Sequence, residues 1–298
     1  MTGKGAVLVT GASSGIGRAT ALLLDRKGFH VFAGVRKQRD AEALRKKAFG
    51  HLKPVFIDVT DNKMITSSLE IVSKTVGGIG LTGLINNAGI AVPGPIEYVS
   101  LDGLRRQFET NVIGQIAVTQ SFLPLIRRAG GRIINIGSVG GRTTMPFGGA
   151  LCAAKHAMEA LNDALRMELH PWGIHVCLVA PASINTAAVD KLADECEYII
   201  RNLPAKGVER YAQSFRHMVK IAVKEQKAGS APEEVAKTII HALTTPTPKT
   251  RYIAGNHSRA LTFLPAILPV RLFDAVKFRL FGLPKHFGEW KDIKTQTG

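Results

Sequence analysis

The sequence predicts an α/β fold of the Rossmann type: a doubly wound, mostly parallel sheet with helices on both faces, followed by a C-terminal helical extension. Three observations predict it. Short runs of Val, Ile and Leu alternate with longer amphipathic stretches, the pattern of right-handed βαβ crossovers. The runs are near-continuously apolar, as strands buried on both faces are. The first run empties into a glycine loop that opens a helix, and open α/β sheets bind ligands outside the carboxyl ends of their strands.

Taken in order, residues 6–10 (AVLVT) read as a buried strand. Residues 15–27 read as a helix with Ala19, Leu22 and Leu23 on its apolar side. Residues 30–35 form the second strand and 40–47 the second helix. Residues 53–58 form the third strand, and a helix opens near Asp61, a good N-cap residue. Residues 83–86 are short, apolar and strand-like. Residues 101–127 read as one helix, 132–137 (RIINIG) as a strand, 150–169 as a helix and 175–179 as a strand. Residues 187–230 read as helices and loop, an insert expected to cover the substrate. A short helix over 232–243 and a last strand over 251–254 follow.

The chain of 298 residues, 45% of them apolar, is long enough for one sizeable core. With no linker, repeat or low-complexity tract, residues 1–298 read as one dinucleotide-binding domain carrying the insert at about 187–230 and the extension at about 256–298. Cys152, Cys177 and Cys196 have no metal-like spacing. Their sparse, odd number suits a reducing compartment, and the start Met-Thr-Gly-Lys-Gly is too short and polar for a signal segment, so a cytoplasmic location is expected. Lys and Arg number 39 against 23 Asp and Glu, a formal charge of +16. Cofactor phosphates, an acidic membrane surface or nucleic acid would each suit that charge. The basic residues are dispersed and no nucleic-acid motif appears, so nucleic acid is set aside.

The loop after the first strand is Thr10-Gly11-Ala12-Ser13-Ser14-Gly15-Ile16-Gly17. Gly11 permits a tight turn, Gly15 lets backbone approach a pyrophosphate, and Gly17 lets the helix pack close to the strand. The helix N-terminus offers free N–H groups and the positive end of its dipole. The end of the second strand selects the nucleotide. A carboxylate there suits the ribose hydroxyls of NAD, whereas a cation suits the 2′-phosphate of NADP. This chain has Gly34-Val35-Arg36-Lys37 and no carboxylate until Asp40, so NADP(H) is favoured over NAD(H) and Arg36 is the candidate phosphate partner.

These residues and others spaced along the chain resemble the short-chain dehydrogenase/reductase family, over roughly residues 5–190. The glycine loop is similar to the family's cofactor loop. Asp58 resembles its adenine-contacting acid, and Asn86-Asn87-Ala88-Gly89 its fourth-strand signature. Asn111, Ser138 and Lys155 fall where the family keeps its catalytic Asn, Ser and Lys. Pro181 and Thr186 resemble its segment near the nicotinamide, although Ala182 stands where glycine is usual. The run from Phe147 through Lys155-His156-Ala157-Met158 is similar to members acting on retinoids, steroids and other lipophilic alcohols or ketones. The resemblance implies a small lipophilic substrate and a homodimer or homotetramer.

One departure bears on the chemistry. The family's Tyr-x-x-x-Lys pair puts a tyrosine four residues before the lysine, and here that residue is Leu151. Residues i and i+4 share a helix face, so the family presents phenol and ammonium to one site, the lysine lowering the phenol's pKa. Leu151 gives no proton. A positioned acid contributes about 10²–10⁴ in rate, so an ordinary ketoreductase would be impaired. Four readings stay open: Lys155, Ser138 or a water moves the proton; a tyrosine from the 198–211 region reaches in; the substrate needs no such acid; or the protein binds NADP(H) without turnover, as a pseudoenzyme or scaffold. Lys155 could serve ribose hydroxyls alone, Ser138 could cap a turn, and Asp58 could cap or turn the chain instead of touching adenine. His156 and Cys152 read as packing residues.

The extension is apolar and basic together. Its longest uncharged stretch, residues 260–270, is too short to span a bilayer and contains Pro265 and Pro269. A lid or subunit contact is favoured over peripheral membrane contact.

Overall fold

The computed structural model describes residues 4–186, 189–255 and 267–283. The described strands are β1 (Ala6–Val9), β2 (His30–Val35), β3 (Leu52–Phe56), β4 (Gly83–Asn86), β5 (Arg132–Ile136), β6 (His175–Pro181) and β7 (Arg251–Ala254). They form one sheet in the order β3-β2-β1-β4-β5-β6-β7, every pairing parallel. The order reverses direction between β1 and β4, the point outside whose carboxyl ends open sheets of this kind bind ligands.

The helices are α1 (Gly15–Arg26), α2 (Gln38–Arg45), α3 (Asn62–Val76), α4 (Leu101–Phe108), α5 (Gly114–Ala129), α6 (Gly149–Leu169), α7 (Leu192–Arg201), α8 (Ala205–Lys227), α9 (Pro232–Thr244) and α10 (Val270–Phe281). Alternating side chains divide the core. Val7 and Val9 face α1, α2 and α9, while Ala6 and Leu8 face α3, α5 and the C-terminal end of α6, as the two-residue period of a strand requires. Phe32, Phe122 and Leu8 are fully buried. Truncating Phe122 to Ala would cost about 3–5 kcal/mol by transfer and cavity formation. Asp61 caps α3, accepting from the amides of Lys63 and Met64.

Three details differ from the sequence reading. The buried side of α1 is Ala19, Ala21 and Leu24, with Leu22 and Leu23 only partly covered, because the helix also packs against α9. Strand β6 runs on to Pro181, since β7 pairs with it as far as Ala254. The single helix expected over 101–127 is interrupted by a π-helical turn at Glu109–Ile113.

The insert forms α7 and α8 around a small core of its own, including Cys196, Ile200 and Phe215, and Met145 and Phe147 pack against it. Phe281 of α10 joins the same cluster. The remainder of the extension, 256–266 and 284–298, lies outside the described residues, as does most of the uncharged stretch 260–270. No helix among the described residues is long and apolar enough to cross a membrane.

Candidate active site

The glycine loop is built on close approach. Gly11 has φ +64°, and a Cβ on it would lie 2.8 Å from the Ala88 Cα. A Cβ on Gly17 would lie 2.3 Å from the Gly11 carbonyl oxygen, so any larger residue would push α1 off the strand. Ser14 is the N-cap of α1 but makes no side-chain cap bond, and the first turn holds no acid. The amides of Gly15, Ile16 and Gly17 have no hydrogen-bond partner among the described residues, which leaves free donors and the positive end of the dipole at the glycine loop. The Asn87 carboxamide donates to the carbonyls of Thr10, at 2.9 Å, and Gly11, at 3.1 Å. The Thr10 hydroxyl accepts from the amides of Asn87 and Ala88. Thus Thr10 and Asn87 lock the loop to the end of β4. Thr186, beyond Pro181, brings its methyl within 3.3 Å of where a Gly15 Cβ would be, so the last motif meets the first.

Arg36 follows β2 and Asp58 follows β3, and the parallel register pairs Val35 with Phe56. The Arg36 guanidinium reaches the Asp58 carboxylate at 3.5 Å while staying 65% exposed. Asp58 also accepts from the Thr60 amide at 3.0 Å and hydroxyl at 2.8 Å. Burial pushes its carboxyl up, but the Thr60 hydrogen bonds and Arg36 outweigh this and hold it below its ordinary value. Both residues line a cavity of about 540 Å³ with Thr60, Ile90, Arg106 and Thr110. Asp58 therefore shapes the turn into α3 and also faces a ligand-sized space.

Asn111 sits in the π turn and is buried. Its carboxamide accepts from the Ile90 amide and donates to the Ile90 carbonyl. Gln107 accepts from the Val92 amide and donates to the same Ile90 carbonyl, and Gln115 donates to Ala88. The three amides bind the loop after β4, which holds Ala88 and Gly89, to the α4–α5 rod. A mid-helix π turn often marks a functional position. Sequence reasoning missed Gln107 and Gln115, although their spacing of four on either side of Asn111 was visible.

Lys155 lies inside α6, 8% exposed, and its Nζ donates to the Ile136 carbonyl at 2.6 Å. Burial without a carboxylate partner lowers its pKa to about 8. Ser138, half-buried, accepts from the Gly140 amide at 3.0 Å and caps a short turn. Leu151 is half-buried one turn before Lys155 on the same helix. The four tyrosines are engaged or exposed. Tyr211 donates to Glu97 at 2.7 Å, and the Tyr98 ring packs edge-on against that of Tyr211. Tyr252 accepts from the Lys249 amide, and Tyr198 is 65% exposed. Cys152 is buried, its thiol raised by burial, and His156 bonds the Cys152 carbonyl one turn back, which matches packing roles.

Above Ser138 the segment to α6 contains Phe147, whose φ of 60° makes it the non-glycine residue in the left-handed region among those described. Such strain costs of order 1–3 kcal/mol and collects at ligand sites. Its carbonyl accepts from Gly94, and its ring packs on Tyr211 and Phe215 of α8. Glu97 ties this mouth to α8 through Tyr211 and Arg210. A second cavity, of about 280 Å³, lies beside Phe147 and reaches α10.

A parallel sheet with its reversal at β1/β4, a bare helix N-terminus behind a glycine loop, and a buried lysine on α6 with a serine just beyond β5 define a dinucleotide-binding protein of the Rossmann class. The short chain dehydrogenase family model matches residues 5–197, and the chain belongs to that family, whose members are oxidoreductases that bind a nicotinamide cofactor. It is 35% identical to "Retinol dehydrogenase 7" of Rattus norvegicus over 91% of this chain and 86% of that one. It is 36% identical to "17-beta-hydroxysteroid dehydrogenase type 6" of Bos taurus over 93% and 89%. Among solved structures, a short-chain dehydrogenase from Streptomyces avermitilis superposes with a TM-score of 0.73 at 25% identity, covering 100% of both chains.

Proposed function

We propose that this chain is an NADP(H)-dependent oxidoreductase for a lipophilic alcohol, ketone or related group of retinoid or steroid type, with an altered proton donor. The observation that carries the cofactor reading is Arg36: an exposed guanidinium stands at the end of β2 over a cavity of about 540 Å³, with no acid at that strand end. The names of the relatives support the substrate class. In this reading Ser13, Ser14, Gly15, Ile16 and Gly17 hold the pyrophosphate, Arg36 the 2′-phosphate and Asp58 the adenine. Ala88 and Gly89 line the adenosine side. Pro181 and Thr186 border the nicotinamide, which supplies the hydride when bound. Lys155 exchanges its Ile136 contact for ribose hydroxyls. Ser138 steadies the substrate oxygen, and the proton comes through Lys155, Ser138 or a water, because Leu151 has none to give.

Calorimetric titration with NADPH and NADH tests the first half: NADPH should bind tighter, and Arg36→Ala should erase the difference. Unchanged preference in that variant defeats the assignment. The second reading, a cofactor-binding pseudoenzyme or scaffold, is favoured specifically by Leu151. Oxidation of NADPH with any member of a retinoid, steroid and aldehyde panel decides between them.

A further inference from the structure

We infer that Lys277 of α10 is the distal anchor of the substrate cavity and selects lipophilic ligands that carry a second, uncharged oxygen. This rests on the reading above, that the cavity takes a lipophilic alcohol or ketone.

The cavity beside Phe147 has walls of opposite character. Ile96, Met145, Phe147 and Phe278 make it apolar, and Lys277 enters from α10. Thr144 supplies the other polar side chain. The Lys277 side chain is only 19% exposed. Its Nζ lies 2.7 Å from the Asp274 carboxylate, one turn back, and 4.9 Å from the centre of the Phe273 ring. Phe273 is itself buried, so the ammonium is held in place. Burial pushes the Cys152 thiol up, while the Met145 main chain and the charge of Lys277 pull it back. That sensitivity puts Lys277 within electrostatic reach of the α6 turn that carries Leu151.

The cavity touches Gly149, the first residue of α6. One turn on, the Cys152 Sγ lies 3.9 Å from where a Gly148 Cβ would be and 3.4 Å from where a Gly140 Cβ would be, and the Ser138 Oγ is also 3.4 Å from the latter. These contacts join the cavity's α6 wall to Ser138, so a ligand held by Ser138 at its reacting oxygen and by Lys277 at its other end is elongated.

An ammonium has three N–H donors. Asp274 occupies one, and no other hydrogen-bond partner exists among the described residues. Asp274 already balances the charge, so a second carboxylate would be repelled by it, whereas a ketone or hydroxyl can accept a free N–H. A ligand ending in plain hydrocarbon would strip water from those donors and return nothing, and a site built to hydrogen-bond discriminates strongly against such a ligand. The cavity thus fits a rigid skeleton oxygenated at both ends better than a polyene alcohol oxygenated at one.

The test uses the full chain loaded with NADPH, titrated with a steroid bearing a ketone at each end and with the same skeleton bearing one ketone. The diketone should bind at least tenfold tighter. Lys277→Met should abolish that advantage and Lys277→Arg should keep it, both variants being checked by thermal melt. Phe278→Ala should weaken both ligands alike and leave their ratio unchanged. Equal binding by the wild type, or an advantage that survives Lys277→Met, overturns the inference. If neither steroid binds while a retinoid does, this inference fails and the lipophilic-substrate reading stands; if none of these ligands binds while NADPH does, both fall. If NADPH fails to bind as well, the fault lies in the cofactor reading.

Discussion

The Asn111 carboxamide meets both main-chain groups of Ile90, accepting from its N–H at 2.8 Å and donating to its C=O at 2.9 Å. A residue marked by its position as catalytic is thus occupied with holding the loop that borders the cavity of about 540 Å³ beside Arg36 and Asp58. Asn111→Leu would leave the Ile90 N–H unpaired, at about 1–3 kcal/mol, while the Ile90 carbonyl keeps its bond from Gln107. The expected outcome is a lower melting temperature together with weaker NADPH binding, measured without any substrate. A variant that binds NADPH normally and loses only turnover would contradict the positioning role.

Lys155 is a buried cation whose contact is a carbonyl, and its pKa falls to about 8 from an ordinary 10.5. Between those values the unfolded chain binds a proton that the folded chain lacks, so stability rises with pH across that window. Below pH 8 the folded state bears the full penalty of burying the charge, of order 3 kcal/mol. Lys155→Met removes the titration. The stability of this variant relative to wild type should therefore decline as pH climbs from 8 to 10.5, as read by denaturant melts. A constant difference would show that the ammonium is not desolvated.

Leu151 and Lys155 stand one turn apart on α6, and the four native tyrosines are engaged or exposed. Restoring a phenol by Leu151→Tyr should raise ketone reduction by NADPH by about 10²-fold or more, the usual contribution of a positioned acid. The rate should then rise with the fraction of ionised Lys155. No gain across a ketone and aldehyde panel would mean that the cavity serves a substrate needing no such acid.

The strands were legible because burial on both faces leaves long apolar runs, and β2, β4 and β7 fall where the runs do. The glycine loop was legible because Gly11 and Gly17 meet backbone that no side chain would tolerate. The π turn was not, since it accompanies a bond between Asn111 and Ile90 that exists only after the loop folds back. The clasp of Glu97 with Arg210 and Tyr211 joins residues more than a hundred positions apart. Lys277 was equally hidden, because the docking of α10 on α8 through Phe281 has no local signal. Arg36 and Asp58 were each read from the sequence, yet their pairing follows only from the register of β2 on β3.

That pairing sets a condition on switching the cofactor. Arg36→Asp would offer a carboxylate to ribose hydroxyls and repel a 2′-phosphate, which argues for NADH. It would also place two carboxylates where an ion pair stood 3.5 Å apart, and like charges at that distance disfavour joint ionisation. With Arg36 gone, Asp58 loses one of the influences that keep its carboxyl low. The single variant should therefore lose NADPH binding by about 10–100-fold while gaining little for NADH. The double variant Arg36→Asp with Asp58→Asn should complete the switch, seen as a reversed ratio of dissociation constants. Raising salt should weaken NADPH more than NADH in wild type and not in either variant, because the exposed guanidinium is what salt screens. An intact NADPH preference in the double variant would move phosphate recognition away from Arg36, with Arg106 on the facing wall of the cavity the next candidate.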